Sequence, residues 1–414
     1  MFIIANALPF NGGSTFIQRI SEQFLINHKR IGILILTNVI DHELETKLAK
    51  VADIYYLQDY QTIPLSKICN TQIGIFMSID IFKIKNIIKK YGRHVHTMGL
   101  FGLLFIARIA HATKNPFDIS IGIYQQYEMM FVSKSFLAQY SQKILKELGP
   151  KHIVFFNEDN IKSYSRFFSI DYTKSLLVPI GIQLPSALGS FGSHKTLKII
   201  SIGNLYKFKT YNLHIVNLMP QLLSINPNFT YEIYGEGELK KDLSTLITEL
   251  NLGKNVFLKG NIPYQEFSTV VKDAFLFVGS GTAILEASAL GIPSIIGIES
   301  TESAITYGFL SDISGFSYNE YDRTRQTVPI LQLIKKIAID SQAWDKTSKE
   351  CIEKAKEFSI EKTFDGFVDL DSRNIPVDLN IFSTYNNIKL FISFFTLGLK
   401  QYMHIDNSFS KRRD

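Results

Sequence analysis

The chain has 414 residues, a net charge of +6, 46% hydrophobic and 20% charged residues. That length exceeds one ordinary core and calls for two domains, and the balance is that of a globular protein rather than a disordered or fibrous one. Two cysteines far apart, Cys69 and Cys351, exclude a disulfide framework and a cysteine-clustered zinc site, and they suit a reducing cytosol.

The opening "MFIIANALPF" has no basic residue before its apolar run, so it reads as a first strand and not as a signal peptide. "IGILILT", "ADIYYL", "QIGIFM", "RHVHT", "DISIGIY" and "KHIVFF" read as further strands, with helical periods such as 15–28 and 134–148 between them. The longest apolar runs, "GLFGLLFIARIA" and "KLFISFFTLGL", fall short of the ~20 residues a bilayer crossing requires. The alternation pauses over "VPIGIQLPSALGSFGSHK", which has a linker's composition. It then resumes with the strands "LKIISIG", "FTYEIYG", "NVFLKG", "AFLFVG" and "PSIIGI", and with helices near 212–224, 238–250, 264–273 and 282–290. Strand runs apolar on both faces, alternating with helices, imply parallel sheets covered on both sides. The expected fold class is therefore α/β, with two doubly wound Rossmann-like domains facing each other across a cleft. Residues 1–182 form the first, 183–375 the second, and 376–414 a tail whose helix crosses back.

Ligands of such sheets sit at the carboxyl ends of strands, and four strand ends of the second domain carry unusual loops. After "IISIG" come Gly203, Asn204, Lys207 and Lys209; the glycine permits a close turn and the lysines suit a phosphate, the alternative being a solvated surface pair. At the next end stand Tyr234, Gly235 and Gly237, where a lone G-x-G signals little beyond a tight turn. The third offers the backbone of Asn261 and Ile262, beyond Gly260, to a flat ring. The fourth, "VGSGTAILEASALGIPSI", reads strand, glycine turn, helix, break, strand. Ser280, Gly281, Thr282 and Ala283 lie where helical N–H groups are free for a phosphate. Glu286 lies a turn further on and could accept the two hydroxyls of a ribose. The alternative is an acid favoured by the helix dipole, but its apolar setting makes an unpartnered carboxylate costly.

The order "GNLYKFK … YGEGELKKDL … NVFLKGNI … GSGTAILEASALGIPSI" resembles the donor domain of GT-B glycosyltransferases, specifically the large retaining family 4, or group 1, over about 195–300. The resemblance makes Lys209 the diphosphate-binding lysine, with Asn204 where the family has arginine and Lys207 as a substitute companion. It makes Glu286 the ribose ligand, second of a pair of glutamates eight residues apart. The first falls at Val278, and the loop before the helix is short. In the first domain "NALPFNGGSTFIQRISEQF" resembles the family's opening glycine loop, with Gly12 and Gly13 facing the donor phosphates. "RHVHTMGLFGLL" resembles the segment whose histidine is His96, near the sugar or acceptor, the alternative being a structural histidine at a strand end; His94 shares its strand face, so either could be the relevant one. "VPIGIQ" resembles the entry to the second domain, with Ile180 for the usual asparagine.

The resemblance implies transfer of a sugar from a nucleotide diphosphate such as UDP to a glycan or lipid-linked acceptor, with retention. It needs no metal or cofactor beyond the nucleotide-sugar substrate, and belongs to bacterial capsule, lipopolysaccharide or exopolysaccharide synthesis. Such work is cytoplasmic, at times peripheral on the inner membrane. Tyr124, Gln125 and Glu128, after "IGIY", are candidates for an acceptor site; Asn157, Glu158 and Asp159 read as a helix cap. The amphipathic basic stretch 133–148, the stretch 386–402 and the closing "KRRD" suit either packing against the body or an anionic membrane surface. Competing readings are a NAD-independent sugar-nucleotide epimerase, disfavoured by the lack of histidine after His214 in the second domain, and a non-catalytic binding relative. A NAD dehydrogenase is disfavoured because no G-x-G-x-x-G follows a strand.

Overall fold

The computed structural model describes residues 1–9, 11–62, 71–186 and 191–404. Cys69, the closing "KRRD" and the middle of the linker fall outside them. The chain divides into two units, Met1–Ile180 with Ile360–Asp414, and Gly181–Ser359.

In the first unit the strands are β1 (Phe2–Ala5), β2 (Ile31–Ile35), β3 (Ala52–Tyr56), β4 (His94–Met98), β5 (Asp118–Ile123), β6 (Ile153–Phe155) and β7 (Leu176–Leu177). They form a parallel sheet in the order β3-β2-β1-β4-β5-β6-β7. Between them run α1 (Gly12–Ile26), α2 (His42–Val51), α3 (Ile81–Lys90), α4 (Leu100–Thr113), α5 (Phe136–Leu148) and α6 (Glu158–Phe168). Successive residues of a strand point to opposite faces, and both faces are covered. Phe2 and Ile4 enter one core with α3, α4 and α5, whereas Ile3 and Ala5 enter another with α1 and α2. The strand order reverses between β1 and β4, which places the topological switch point at the ends of those strands.

The second unit repeats the plan with β8 (Lys198–Ile202), β9 (Thr230–Tyr234), β10 (Val256–Gly260), β11 (Leu276–Gly279) and β12 (Ser294–Ile296), in the order β10-β9-β8-β11-β12. Its helices are α7 (Tyr211–Ile225), α8 (Lys240–Glu249), α9 (Phe267–Val271), α10 (Thr282–Ala289), α11 (Ile330–Ile339) and α12 (Ser341–Lys356). Its switch point lies between β8 and β11.

The chain then returns to the first unit as α13 (Ile360–Ser372) and α14 (Asn387–Tyr402). The sequence reading carries the second domain to 375, whereas the second unit ends at Ser359. The reason is the apolar spacing of α13: Ile360, Phe364, Phe367 and Leu370 lie on one face and enter the α1 core, with Phe24 and Phe364 rings 5.0 Å apart. "QIGIFM", expected as a strand, is a short 3-10 helix, Gln72–Phe76. Its carbonyls serve side chains instead of a ladder: Arg108 donates to Ile75 and Asn387 to Phe76. The basic helix α5 buries Leu137, Tyr140, Ile144, Leu145 and Leu148, so its apolar face is core and not a membrane face.

Candidate active site

The second unit gathers its unusual loops at the carboxyl ends of β8, β9, β10, β11 and β12. Gly203 takes φ +147°, a region open to glycine, and the Lys209 ammonium lies 3.1 Å from where a Cβ on it would stand. Lys209 is half-buried, while Asn204 and Lys207 are exposed. The Asn204 amide donates to the Tyr206 hydroxyl at 3.3 Å, and the Lys207 N–H donates to Glu238 at 3.1 Å. Gly235 and Gly237 let their loop pack against this one. A Cβ at Gly235 would collide with the Gly203 carbonyl, and one at Gly237 with the Leu205 carbonyl. Two backbones thus lie in direct contact, joined by the Leu205 N–H donating to the Glu236 carbonyl at 2.9 Å. Tyr234 turns its hydroxyl to Glu232 at 2.7 Å, and burial followed by that carboxylate holds the phenol well above its ordinary pKa.

At the start of α10 the free N–H groups are fewer than the sequence suggests. Gly281, at φ +65°, donates its N–H to Asn319 Oδ1 at 2.9 Å, and Ser280 donates its hydroxyl to Glu299 Oε1 at 2.9 Å. Thr282 and Ala283 open the helix and are half-buried. Glu299 follows β12 and has no motif to announce it. Burial raises its pKa, against the Ser280 hydroxyl and the Lys209 charge, which lower it. An acid and a base therefore share the ends of β8, β11 and β12. Val278, where the resemblance places the first glutamate, is fully buried and pairs with Ile295 across the sheet.

Glu286 is 8% exposed and opens onto a cavity of about 460 Å³ lined by Leu184, Tyr264, Gln265, Phe267 and Leu290 among others. That volume lies in the ~300–1,000 Å³ range of small-ligand sites. Asn261 and Ile262 lead into its wall at Tyr264, an aromatic the sequence reading passed over; Asn261 is exposed and Ile262 half-buried. The signal for Tyr264 was an aromatic just past a strand-ending glycine.

In the first unit a cavity of about 320 Å³ lies against the β1–α1 turn, lined by Asn6, Asn11, Gly13, Gly99, Tyr124 and Glu128 among others. Asn11 caps α1, accepting the Ser14 N–H at 3.1 Å, and this leaves Gly12 exposed and Gly13 facing the cavity. The carboxylate of Glu128 rests against Gly99, where α4 begins, a favourable place for negative charge. His96 is not at the cavity surface. It is fully buried, Nδ1 bonded to Ser120 at 2.9 Å and Nε2 to the Tyr124 hydroxyl at 2.9 Å, and burial, then His94, holds its pKa well below the usual value. Of the two readings open for a strand-end histidine, ligand contact or a structural role, the structural one describes it: α13 covers it, with Phe367 4.8 Å away. His94 joins the same Ser120 hydroxyl at 2.8 Å and meets Asp371 at 3.5 Å. These groups hold Tyr124 from behind.

Residues 190–357, nearly all of the second unit, match the family described as glycosyl transferases group 1. Among solved structures the chain is similar to a mutant of S. aureus TarM in complex with fondaparinux, alpha-GlcNAc-glycerol and UDP (TM-score 0.61, 12% identity, covering 90% of this chain and 99% of that one). It is likewise similar to Anabaena Alr3699/HepE in complex with UDP and glucose (0.60, 12%, 90% and 98%) and to a Rickettsia africae glycosyltransferase (0.61, 14%, 90% and 97%). The fold is GT-B. No curated protein matches the chain significantly. The group 1 match over the second unit supports a glycosyltransferase. The span matched by the group 1 model lies within the second unit and contains Lys209, Glu286 and Glu299.

Proposed function

We propose that this chain transfers a hexosyl or N-acetylhexosaminyl group, with retention, from a UDP-type sugar to a hydroxyl of a glycan or lipid-linked saccharide. The product serves a bacterial surface polysaccharide such as a capsule, an O-antigen or an exopolysaccharide. The observation that carries this reading is the arrangement of the second unit: Lys209 set against Gly203 and acting on Glu299, which holds Ser280 just before α10, and Glu286 opening onto the 460 Å³ cavity. In this reading the cavity holds the nucleoside, its ribose hydroxyls donating to Glu286 and its base lying against Tyr264. The diphosphate lies toward Thr282, Ala283 and Lys209. As the bond to the sugar breaks, charge develops on the leaving phosphate, and a preoriented ammonium and helical N–H groups stabilise it without reorganisation. These groups do what a metal would otherwise do. The leaving phosphate itself takes the acceptor's proton. Tyr124, Gly13 and Glu128 border the first unit's cavity, which this reading assigns to the acceptor.

The test has two stages. A panel of nucleoside diphosphates and their sugars is screened by thermal shift, since binding to the native state raises apparent stability. Transfer is then measured for Lys209→Ala and Glu286→Ala. Each is expected to reduce kcat/KM about 100-fold or more, the usual cost of one preoriented charge-stabilising group, with melting within a few degrees of the parent. Near-normal turnover in either would contradict the assignment.

A further inference from the structure

Helix α14 has two apolar faces, and among the described residues only one is buried. Leu390 and Leu397 are buried in the first unit, with Phe391 and Phe394 packed beside them and Ser393 accepting the Leu137 N–H at 3.0 Å. The other face carries Ile388, Ile392, Phe395 and Leu399 and runs on to Met403, which caps the helix; they are 70%, 55%, 52%, 46% and 48% exposed. At 3.6 residues per turn these five fall within an arc of about 80°. Tyr402, 83% exposed, widens it only a little. A stripe four turns long is larger than the scattered surface leucines and isoleucines any protein shows.

Charge selects the occupant. Residues 387–402 contain no aspartate or glutamate, and both cations, Lys389 and Lys400, flank the same edge of the stripe. A second copy docking here would bring lysine to lysine with no acid on the helix to answer it. An apolar stripe edged by lysines instead matches helices that lie flat in the headgroup region of an anionic bilayer. Among the described residues no helix is long and apolar enough to cross a membrane, and lying on one needs no such length. We propose that the outer face of α14 is a docking surface for an anionic lipid bilayer, with Ile392, Phe395 and Leu399 entering the acyl boundary and Lys389 and Lys400 meeting lipid phosphates.

The experiment is co-sedimentation of the full chain with phosphatidylcholine vesicles, with or without 30% phosphatidylglycerol, at about 0.1 M salt. The parent is expected to sediment with the anionic vesicles and at least fivefold less with the neutral ones. The double variant Ile392→Asp/Phe395→Asp is expected to stay in solution, and Lys389→Glu/Lys400→Glu to lose at least fivefold. These side chains are exposed, so both variants are expected to keep the parent's melting temperature and its thermal shift with nucleotide sugar. That shift separates this proposal from the donor reading. Equal sedimentation of parent and Asp variant would overturn the proposal. So would no sedimentation of the parent, or a dimer in velocity sedimentation that the Asp substitutions abolish without any lipid binding.

Discussion

Glu299 is the residue on which the donor end of the second unit turns. A half-buried carboxylate beside a proposed diphosphate repels it, unless it serves something else there. Under the proposed function, Glu299, held by Ser280 and within the influence of the Lys209 charge, accepts a hydroxyl of the donor sugar, a role for which Val278, sealed in the sheet, has no access. Glu299→Gln is then expected to weaken binding of the sugar nucleotide about tenfold, the worth of one hydrogen bond to a charged group, while binding of UDP alone is unchanged or tighter. Calorimetric titration with both ligands reads this, and equal weakening of the two would show that Glu299 only steadies Lys209. His96 makes a different prediction. Its folded pKa is depressed by burial and by His94, as is that of His152, chiefly by burial. A group depressed in the fold binds its proton more readily when unfolded, so stability is complete above the unfolded pKa and falls as pH drops. Melting at pH 7.5, 6.5 and 5.5 is expected to show a loss beginning near pH 6.5, by up to about 1.4 kcal/mol per pH unit for each such histidine. His96→Gln is expected to reduce that slope, and an unchanged slope would count against a neutral buried His96.

Among elements, the glycine loops are the most informative. Gly235→Ala is expected to force the β8 and β9 loops apart, since the new Cβ would collide with the Gly203 carbonyl. Differential scanning fluorimetry should show a loss of about 2–4 kcal/mol together with a weaker nucleotide shift; a parent-like result would mean the loops separate without cost. The strand–turn–helix passages around Gly203, Gly235, Gly260 and Gly281 were legible in the sequence, because glycine at a strand end is a local backbone demand. What fills the loops was less so. Glu299 meets Ser280 only because β11 and β12 are neighbours in the sheet, and no spacing in the chain encodes that. "QIGIFM" shows the same limit from the other side. A short apolar run fits a buried strand or a buried turn equally well, and Arg108 and Asn387, both distant, decide it. His96 was visible as a strand-end histidine, but not that Phe367, from the returning chain, closes over it.

At the scale of the molecule, length and alternation were enough to read two doubly wound α/β units, because strands buried on both faces must be apolar throughout. The return of the chain at Ile360 was hidden: α13 follows closely on the helical run of α12, and the contacts of Ile360, Phe364, Phe367 and Leu370 assign it to the first unit. In the proposed function the second unit holds the nucleotide of an activated sugar at its strand ends. Amide hydrogen exchange on the full chain, with and without UDP and a UDP-sugar, tests it most directly. Slower exchange is expected at 203–209, 260–265 and 281–287. Protection confined to other segments, or none with any nucleoside diphosphate, would contradict it.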